Sequence, residues 1–274
     1  MVYLANELPS NNQKIVASDY TVAAGGPATN AAVTFSHLGD RSTVLSVMGT
    51  HPITNLIRGD LENRNVVLSD LDPSRLEPPS VSSIIITQQT GERAVISINA
   101  SKAQAQQNTV SANLLNSIDI VLIDGHQMKV GQTIAELAKA QNIPIVIDGG
   151  SWKPGFDRLL PFVDYAICSA NFHPPGCQNS EDAIDYLSSL GIQHIAITSG
   201  EKQIQYIFQG KAGWLEVPQV NVVDTLGAGD IFHGAFCHYI LRQNFTEALL
   251  ASAQIASYSC QFFGTRRWMK AAGC

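Results

Sequence analysis

The sequence predicts an α/β fold with a central, mostly parallel sheet covered by helices on both faces. From about residue 112 onward, short apolar strands rich in β-branched residues alternate with amphipathic helical segments, which is typical of βαβ units. Hydrophobic residues make up 45% and charged residues only 15% of the 274 residues, which suits a well-buried core. No repeat or linker divides the chain, so we expect a single domain over residues 1–274.

The elements follow in order along the chain. In the first part we predict strands at 14–17 and 20–23, a helix over 31–38, a strand at 43–49, a helix over 55–63 and a strand at 66–71. In the second part we predict strands at 119–123, 143–147, 165–168 and 192–197, alternating with helices over 131–141, 159–162 and 180–190. A hairpin at 203–217 and helices over 228–242 and 246–263 complete the prediction.

One segment, 81–99, does not follow the βαβ rhythm. Apolar residues alternate with polar ones on both sides of a polar, glycine-containing turn at 88–91, which is the pattern of a β-hairpin. A hairpin inserted into an α/β chain has no helix of its own to cover it, so we expect it to pack on a partner chain or to close over a ligand. The alternative is a surface hairpin at the edge of a sheet.

Composition argues against several classes of function. The net charge of −6 disfavours a nucleic acid or an anionic membrane as partner, and no stretch of about 20 apolar residues could span a bilayer. Residues 1–10 do not have the pattern of a secretion signal. The five cysteines form no CxxC pair, which indicates free thiols and a cytoplasmic protein. The histidines have no metal-binding spacing, so no protein-held metal cluster is predicted, and His173 and His233 are expected to be structural.

The segment from Asp224 to Asp230 is the strongest candidate for chemistry. Its order is acid, threonine, leucine, Gly-Ala-Gly and a second acid at the start of a predicted helix. The amides of Gly227, Ala228 and Gly229 at a helix N-terminus form a site for negative charge, and Asp230 could take a proton from a hydroxyl that attacks phosphorus. The alternative is a tight strand-to-helix turn with Asp230 as an ordinary first-turn carboxylate.

A second glycine-rich segment lies near the start of the chain. Gly25 and Gly26 form a turn before a small-residue helix, and Asn30 follows four residues after the second glycine. Two glycines let a ligand approach the backbone, and an asparagine amide can both donate to and accept from hydroxyl groups. The alternative is an ordinary loop that enters an alanine-rich core helix.

Polar residues follow several of the predicted parallel strands. They are Asp124, Asp148, Asn171, Thr198 and Gly200. Because ligands of open α/β sheets bind outside the carboxyl ends of the strands, we expect a crevice there that holds a sugar at one end and a nucleotide at the other. Lys153 follows Asp148 closely and is a candidate phosphate contact.

The two glycine segments carry a resemblance. Residues 224–230 resemble the C-terminal signature of the ribokinase-like (PfkB) carbohydrate kinases, and Gly25, Gly26 and Asn30 resemble the N-terminal signature. The resemblance implies a ribokinase-like three-layer fold with a small β-sheet lid, here segments of about 1–24 and 81–99. It also implies Asp230 as general base, the Gly227–Gly229 amides as anion hole, sugar contacts at Gly25, Gly26 and Asn30, and a homodimer through the lid.

The same resemblance implies a nucleotide site and cofactors. Asn171 resembles the first residue of an Asn-x-x-Glu element that orders water around magnesium, although Pro174 stands where the Glu would be. Thr198 and Gly200 resemble a phosphate-contacting loop, and Thr225 is a further nucleotide candidate. ATP and Mg²⁺ are implied as cofactors, and Asp224 as a site for a monovalent cation such as K⁺.

The start of the chain departs from the family pattern. The family opens with a strand and a sugar-binding Asp, but only 24 residues precede Gly25 and that strand with its Asp is expected to be missing. The start is therefore truncated or sugar binding is altered. The resulting hypothesis is ATP-dependent phosphorylation of a small sugar hydroxyl. The alternatives are a nucleoside kinase and a non-catalytic sugar or nucleotide sensor, the last favoured by the missing strand and Glu.

Overall fold

The computed structural model describes residues 1–88, 91–98, 103–105 and 110–271. The strands are β1 (Val2–Ala5), β2 (Asp19–Thr21), β3 (Ser42–Ser46), β4 (Val66–Asp70), β5 (Ser82–Thr87), β6 (Arg93–Ser97), β7 (Val121–Ile123), β8 (Ile145–Gly149), β9 (Tyr165–Ser169), β10 (His194–Thr198), β11 (Ile204–Phe208) and β12 (Lys211–Leu215). The α-helices are α1 (Pro27–His37), α2 (Ile53–Glu62), α3 (Met128–Ala140), α4 (Phe156–Leu159), α5 (Ser180–Ser189), α6 (Ala228–Ile240) and α7 (Phe245–Ser259). Short 3₁₀ helices cover Ala112–Leu115, Leu160–Phe162 and Arg267–Lys270.

The main sheet has six strands in the order β12-β11-β10-β9-β8-β7. Strands β7 to β10 are parallel, and β11 and β12 continue the sheet as an antiparallel hairpin. In strand β8, Ile145 and Ile147 pack into one core cluster, and Val146 packs into the cluster on the opposite face. Because both faces are buried, this part of the sequence is a near-continuous apolar run. A sheet with both faces covered favours such strands.

Helices cover both faces of this sheet. Phe236 of α6 and Phe245 of α7 lie in the cluster of Val146, whereas Ile134 of α3 and Leu187 of α5 lie in the cluster on the other face. The three-layer α/β architecture predicted from the sequence is thereby confirmed.

The sheet is interrupted between β3 and β7. Strands β3 and β4 form a separate parallel pair, and in the described ranges neither β3 nor β7 pairs with a strand on its other edge. Residues of both strands, Val44 and Leu122 among them, line one cavity of about 1870 Å³. The parallel strands are therefore divided between two sheets. The physical reason is that the chain's first strand, β1, pairs with β2 and β5 and does not enter this gap.

A second sheet of four strands has the order β2-β1-β5-β6. It combines the start of the chain with the 81–99 segment, whose two strands are antiparallel as predicted; residues 89, 90 and 99 lie outside the described ranges. The strand predicted at 14–17 was wrong: the chain there has no regular structure and Val16 is 86% exposed, with no apolar surface to pack on. The strand predicted at 20–23 is shorter and shifted, at Asp19–Thr21.

The small sheet is joined to the main body at its edge. Arg267 makes two hydrogen bonds to the Asp19 carboxylate, at 2.6 and 2.9 Å. A Cβ atom on Gly264 would lie 2.8 Å from Thr21 Cγ2, so the Thr21 side chain packs closely against the Gly264 backbone. No helix of the described chain is both long and apolar enough for a bilayer span.

Candidate active site

The glycine loop before α6 is held in place by Asp224. The Asp224 carboxylate accepts from the Leu226 amide and the Gly264 amide, each at 2.8 Å, and the residue is 4% exposed. Burial raises the pKa of this carboxyl, and the two amides oppose that shift. One oxygen therefore braces the loop internally, and the other ties it to the C-terminal region. A monovalent cation near Asp224 stays a prediction.

The predicted anion hole has two unoccupied donors. Gly227 adopts a left-handed conformation (φ 73°) as the N-cap of α6, which turns the chain sharply into the helix. The Ala228 amide donates to the Thr225 carbonyl at 3.3 Å, whereas in the described chain the amides of Gly227 and Gly229 have no acceptor within hydrogen-bond range. A Cβ on Gly229 would meet nothing within 4 Å. Open space thus lies beside free amides at the positive end of a helix.

Asp230 contacts Asn30 although 200 positions separate them in the sequence. The Asn30 Nδ2 group donates to Asp230 Oδ2 at 2.7 Å. The contact forms because α1 and α6 pack closely: at Gly234, a Cβ would lie only 2.2 Å from the Ala31 carbonyl oxygen. The structure thus joins the two glycine-segment candidates that the sequence could identify only separately.

The environment of Asp230 favours proton exchange near neutral pH. Desolvation in the cleft, followed by the charge of Asp148, raises the pKa of Asp230 to about 6, and the hydrogen bond from Asn30 opposes this. A carboxylate of this pKa is ionised at pH 7 and is a better proton acceptor than an exposed aspartate. This combination is typical of a general base.

A second carboxylate, Asp124, follows β7 at the edge of the same cavity. Its Oδ2 accepts from the Ala28 amide at 3.2 Å and lies 3.1 Å from His126 Nδ1. Burial acts to raise the pKa of Asp124, but the contacts with His126 outweigh it and the pKa is lowered; the same contacts raise the pKa of His126. Asp124 therefore stays ionised and anchors the first turn of α1.

The predicted sugar-binding residues share one cavity with the base. Gly25, Gly26, Asn30 and Asp230 all line the cavity of about 1870 Å³ that continues between β3 and β7. A Cβ on Gly25 would meet nothing within 4 Å, so a ligand can lie directly against this backbone. The volume exceeds the roughly 300–1,000 Å³ of ordinary ligand pockets because the cavity includes the gap in the sheet.

The predicted nucleotide residues lie outside this cavity. Asn171 and Thr198 follow the carboxyl ends of β9 and β10, and Gly200 (φ 60°) is exposed beyond them. The Thr198 hydroxyl donates to the Cys168 carbonyl at 3.3 Å, and Thr225 is exposed in the glycine loop. Three of these residues lie at the carboxyl ends of β9 and β10 and Thr225 lies in the glycine loop, so a nucleotide role for the four remains a prediction.

The remaining sequence candidates have local partners. Lys153 Nζ lies 5.7 Å from the centroid of the Phe156 ring, and its side chain passes Gly125 near the end of β7. The buried ring of His233 contacts the Gly229 carbonyl at 2.7 Å and the Ile167 carbonyl at 3.1 Å, which anchors the helix start to β9.

In the described ranges no group of three or more His, Cys, Asp or Glu could hold a metal ion. These residues do not form a magnesium site by themselves.

Sequence reasoning missed Arg266. This arginine is 6% exposed and donates to Asn30 Oδ1 at 2.9 Å, on the side of the amide away from Asp230. The only sequence signal was a pair of adjacent arginines after Gly264 in a chain with few charges. Nothing in the spacing indicated that one of them, Arg266, would be buried behind the site while the other, Arg267, would remain near the surface.

Comparisons with known proteins show the family of this chain. A family model described as "pfkB family carbohydrate kinase" matches residues 2–271. The chain is 23% identical to a deoxyribokinase of Salmonella typhi, covering 97% of this chain and 90% of the relative. It is also 23% identical to a ribokinase of Bacillus subtilis, covering 98% and 92%.

Solved structures give the same result for the fold. A putative ribokinase from Agrobacterium tumefaciens matches with a TM-score of 0.84 at 22% identity, covering 98% of this chain and 93% of the other. An Arabidopsis thaliana ribokinase complexed with ribose and ATP matches with a TM-score of 0.74 at 20% identity, covering 99% and 95%. At these identities the likeness shows the fold.

Proposed function

Because this chain belongs to the pfkB family of carbohydrate kinases and is an ATP-dependent phosphotransferase with an alcohol acceptor, we propose that it phosphorylates a hydroxyl of a small sugar with Asp230 as general base. One observation supports this most strongly. Asp230 lies in a cavity with Gly25, Gly26 and Asn30, beside the free amides of a helix N-terminus. A proton acceptor and a site for phosphoryl charge are thus adjacent.

The proposed reaction uses each of these groups once. Asp230 takes the proton of the sugar hydroxyl, and the hydroxyl oxygen bonds to the γ-phosphorus of ATP. The bond between the γ-phosphorus and the β–γ bridging oxygen breaks, and ADP leaves. The Gly227 and Gly229 amides, with that of Ala228 turned from its weak 3.3 Å bond, stabilise the charge on the transferring group. Asn30 holds the carboxylate in place through its 2.7 Å hydrogen bond.

Relatives support the substrate class and the cofactors. Proteins similar to this chain are named deoxyribokinase and ribokinase, which makes pentoses the first candidates. One similar structure is described with ribose and ATP, and another, from E. coli, with ATP and Mg²⁺. We propose ATP with Mg²⁺ for this chain too, with Mg²⁺ held by phosphates and water, since the described residues form no metal cluster.

The small sheet is the proposed lid of the site. Met1, Ser82 and Ile84 of this sheet line the cavity, and a Cβ on Gly91 would lie 3.7 Å from the Val223 carbonyl of the glycine loop. On the face away from the cavity the sheet exposes two large apolar residues, Tyr20 and Ile96. Such an exposed apolar surface supports the proposed homodimer through the lid.

A nucleoside kinase is the second candidate. An adenosine kinase from Sinorhizobium meliloti is among the similar structures, with a TM-score of 0.73 over 88% of this chain. A non-catalytic sensor remains the third hypothesis, because the sheet is interrupted beside the site.

A substrate panel separates these functions. With ATP and Mg²⁺, we expect ADP release to depend on a sugar, with ribose or deoxyribose giving the highest kcat/KM and adenosine little. The measurement is coupled ADP formation across pentoses, hexoses and nucleosides, with Asp230→Asn as the blank. A higher kcat/KM for nucleosides than for sugars would identify a nucleoside kinase. Binding of a sugar in calorimetry without ADP formation would indicate a sensor.

The pH dependence of turnover tests Asp230 as the base. The carboxylate must be ionised, and its pKa is raised to about 6, so we expect kcat/KM to fall about tenfold per pH unit below about pH 6 and to be flat above it. Initial rates between pH 4.5 and 8, with the coupling enzymes checked at every pH, measure this. A rate that is constant down to about pH 5 would contradict a base of raised pKa.

A further inference from the structure

Arg266 makes a set of hydrogen bonds directly behind the proposed base. Its Nη1 group donates to Asn30 Oδ1 at 2.9 Å and to Thr265 Oγ1 at 3.0 Å, and its Nη2 group donates to the Ala24 carbonyl at 2.8 Å. Asn30 in turn donates to Asp230 at 2.7 Å. One buried guanidinium is therefore two hydrogen bonds away from the group that would take the sugar's proton.

The first consequence concerns the orientation of the Asn30 amide. A guanidinium has donors and no acceptor, so only the oxygen of the amide can face Arg266, and the NH₂ group must then face Asp230. Without Arg266 the amide could turn over and place its oxygen against the carboxylate, where two acceptors repel each other. Arg266 thus decides which end of Asn30 meets the base.

The second consequence concerns the glycine turn. Ala24 directly precedes Gly25, and it is held at both backbone groups: its carbonyl by Arg266, and its amide by Asp60 Oδ2 at 2.9 Å. Arg266 Nη2 also lies 3.5 Å from that same Asp60 oxygen. The pair therefore fixes the backbone from which Gly25 and Gly26 (φ 102°) face the cavity.

Arg266 is a costly residue for a purely structural role. In the described chain its buried Nε has no hydrogen-bond partner. Leaving a buried donor unpaired is unfavourable, and a buried ion pair is often no more stabilising than apolar residues of similar size. Burial lowers the pKa of Arg266, and the carboxylate of Asp60 opposes that shift.

We propose that Arg266 is a positioning residue for phosphoryl transfer, which fixes the Asn30 amide and the Gly25–Gly26 turn so that Asp230 faces the sugar hydroxyl. This proposal rests on the proposed role of Asp230. It assigns Arg266 no contact with substrate. It predicts that losing Arg266 changes the titration of Asp230 and the binding of sugar, and leaves ATP binding unchanged, because the predicted nucleotide residues lie outside the cavity.

Two substitutions with a control test the proposal. Arg266→Met removes the donors, and Arg266→Lys keeps the charge but cannot serve Asn30 and Ala24 together. The control is Arg158→Met, which removes an exposed arginine of α4 that does not line the cavity. For Arg266→Met we expect kcat to fall about 10- to 100-fold and the sugar KM to rise, with the KM for ATP unchanged. Arg266→Lys should lie in between and Arg158→Met should match wild type.

A carboxyl titration by NMR provides a readout that does not need turnover. With ¹³C-labelled aspartate and the Asp230→Asn spectrum for assignment, we expect the pKa of Asp230 to rise by about half a unit or more in Arg266→Met. If Arg266→Met does not fold, the Asp230 titration and the sugar KM of Arg266→Lys test the proposal instead. An unchanged Asp230 titration with an unchanged sugar KM in a folded variant would overturn the proposal. If wild type phosphorylates no sugar, the proposed function fails, and the titration still tests the positioning.

Discussion

Asp230→Asn is expected to abolish sugar phosphorylation while leaving the fold intact. Removal of a general base typically lowers turnover by about 10²- to 10⁴-fold, and we expect kcat to fall within that range with little change in the KM for either substrate. The reason is local. The asparagine oxygen can still accept the 2.7 Å hydrogen bond from Asn30, so the geometry persists, but the carboxamide cannot take a proton.

The same substitution is expected to stabilise the protein at neutral pH. The folded pKa of Asp230, about 6, is above the ordinary value of 3.8, so the folded state binds a proton more tightly than the unfolded state. By linkage, the carboxylate makes folding less favourable as pH rises from about 4 to about 6, and the penalty is complete above that range. The melting temperature of Asp230→Asn should therefore exceed that of wild type by more at pH 8 than at pH 4.

Asp157→Asn is the matched control. Asp157 also lies in the first turn of a helix, α4, but is exposed and away from the cavity. It should leave both kcat and the melting temperature within error of wild type. A folded Asp230→Asn variant that retains near-normal turnover would remove Asp230 from the mechanism. A variant whose melting temperature falls sharply would instead show that the carboxylate holds the fold together.

The parts of the site that could be predicted from sequence are those whose physics is local. Gly227 must turn the chain into α6 and Asp230 must lie in the first turn, and both requirements are visible within seven residues. Strand β8 was predictable for a similar reason, since a strand buried on both faces has a near-continuous apolar run, here Ile145 to Ile147. Local pattern therefore identified the candidate base and the architecture that holds it.

The rest depends on contacts between distant parts of the chain. Arg266 and Asn30 are 236 positions apart, and no spacing rule shows that a guanidinium will be buried against that particular amide. The break between β3 and β7 likewise depends on where a distant strand, β1, pairs. β1 could have joined either sheet on its composition. Its pairing with Ile84 and Ile86 of β5 decided the outcome, and that is a tertiary effect.

Gly234→Ala is expected to have the largest effect on stability. A Cβ at this position of α6 would lie 2.2 Å from the Ala31 carbonyl oxygen and 2.8 Å from Thr34 Cβ, and the first of these is backbone that cannot rotate away. The two helices must separate, which for overpacking costs about 1–3 kcal/mol of the free energy of unfolding. Because this outweighs the roughly 1 kcal/mol that alanine gains over glycine in a helix, we expect a clear fall in the urea midpoint.

The separation of the two helices in Gly234→Ala should also change the active site, because α1 carries Asn30 and α6 carries Asp230. Moving the helices apart lengthens their 2.7 Å hydrogen bond, so the folded fraction of Gly234→Ala should show a lower kcat as well. Gly59→Ala provides the control: Gly59 is also inside a helix, α2, but its Cβ would meet nothing within 4 Å, so alanine should stabilise the chain there. If both substitutions changed the urea midpoint equally, the close packing of α1 on α6 could not be what brings the two site residues together.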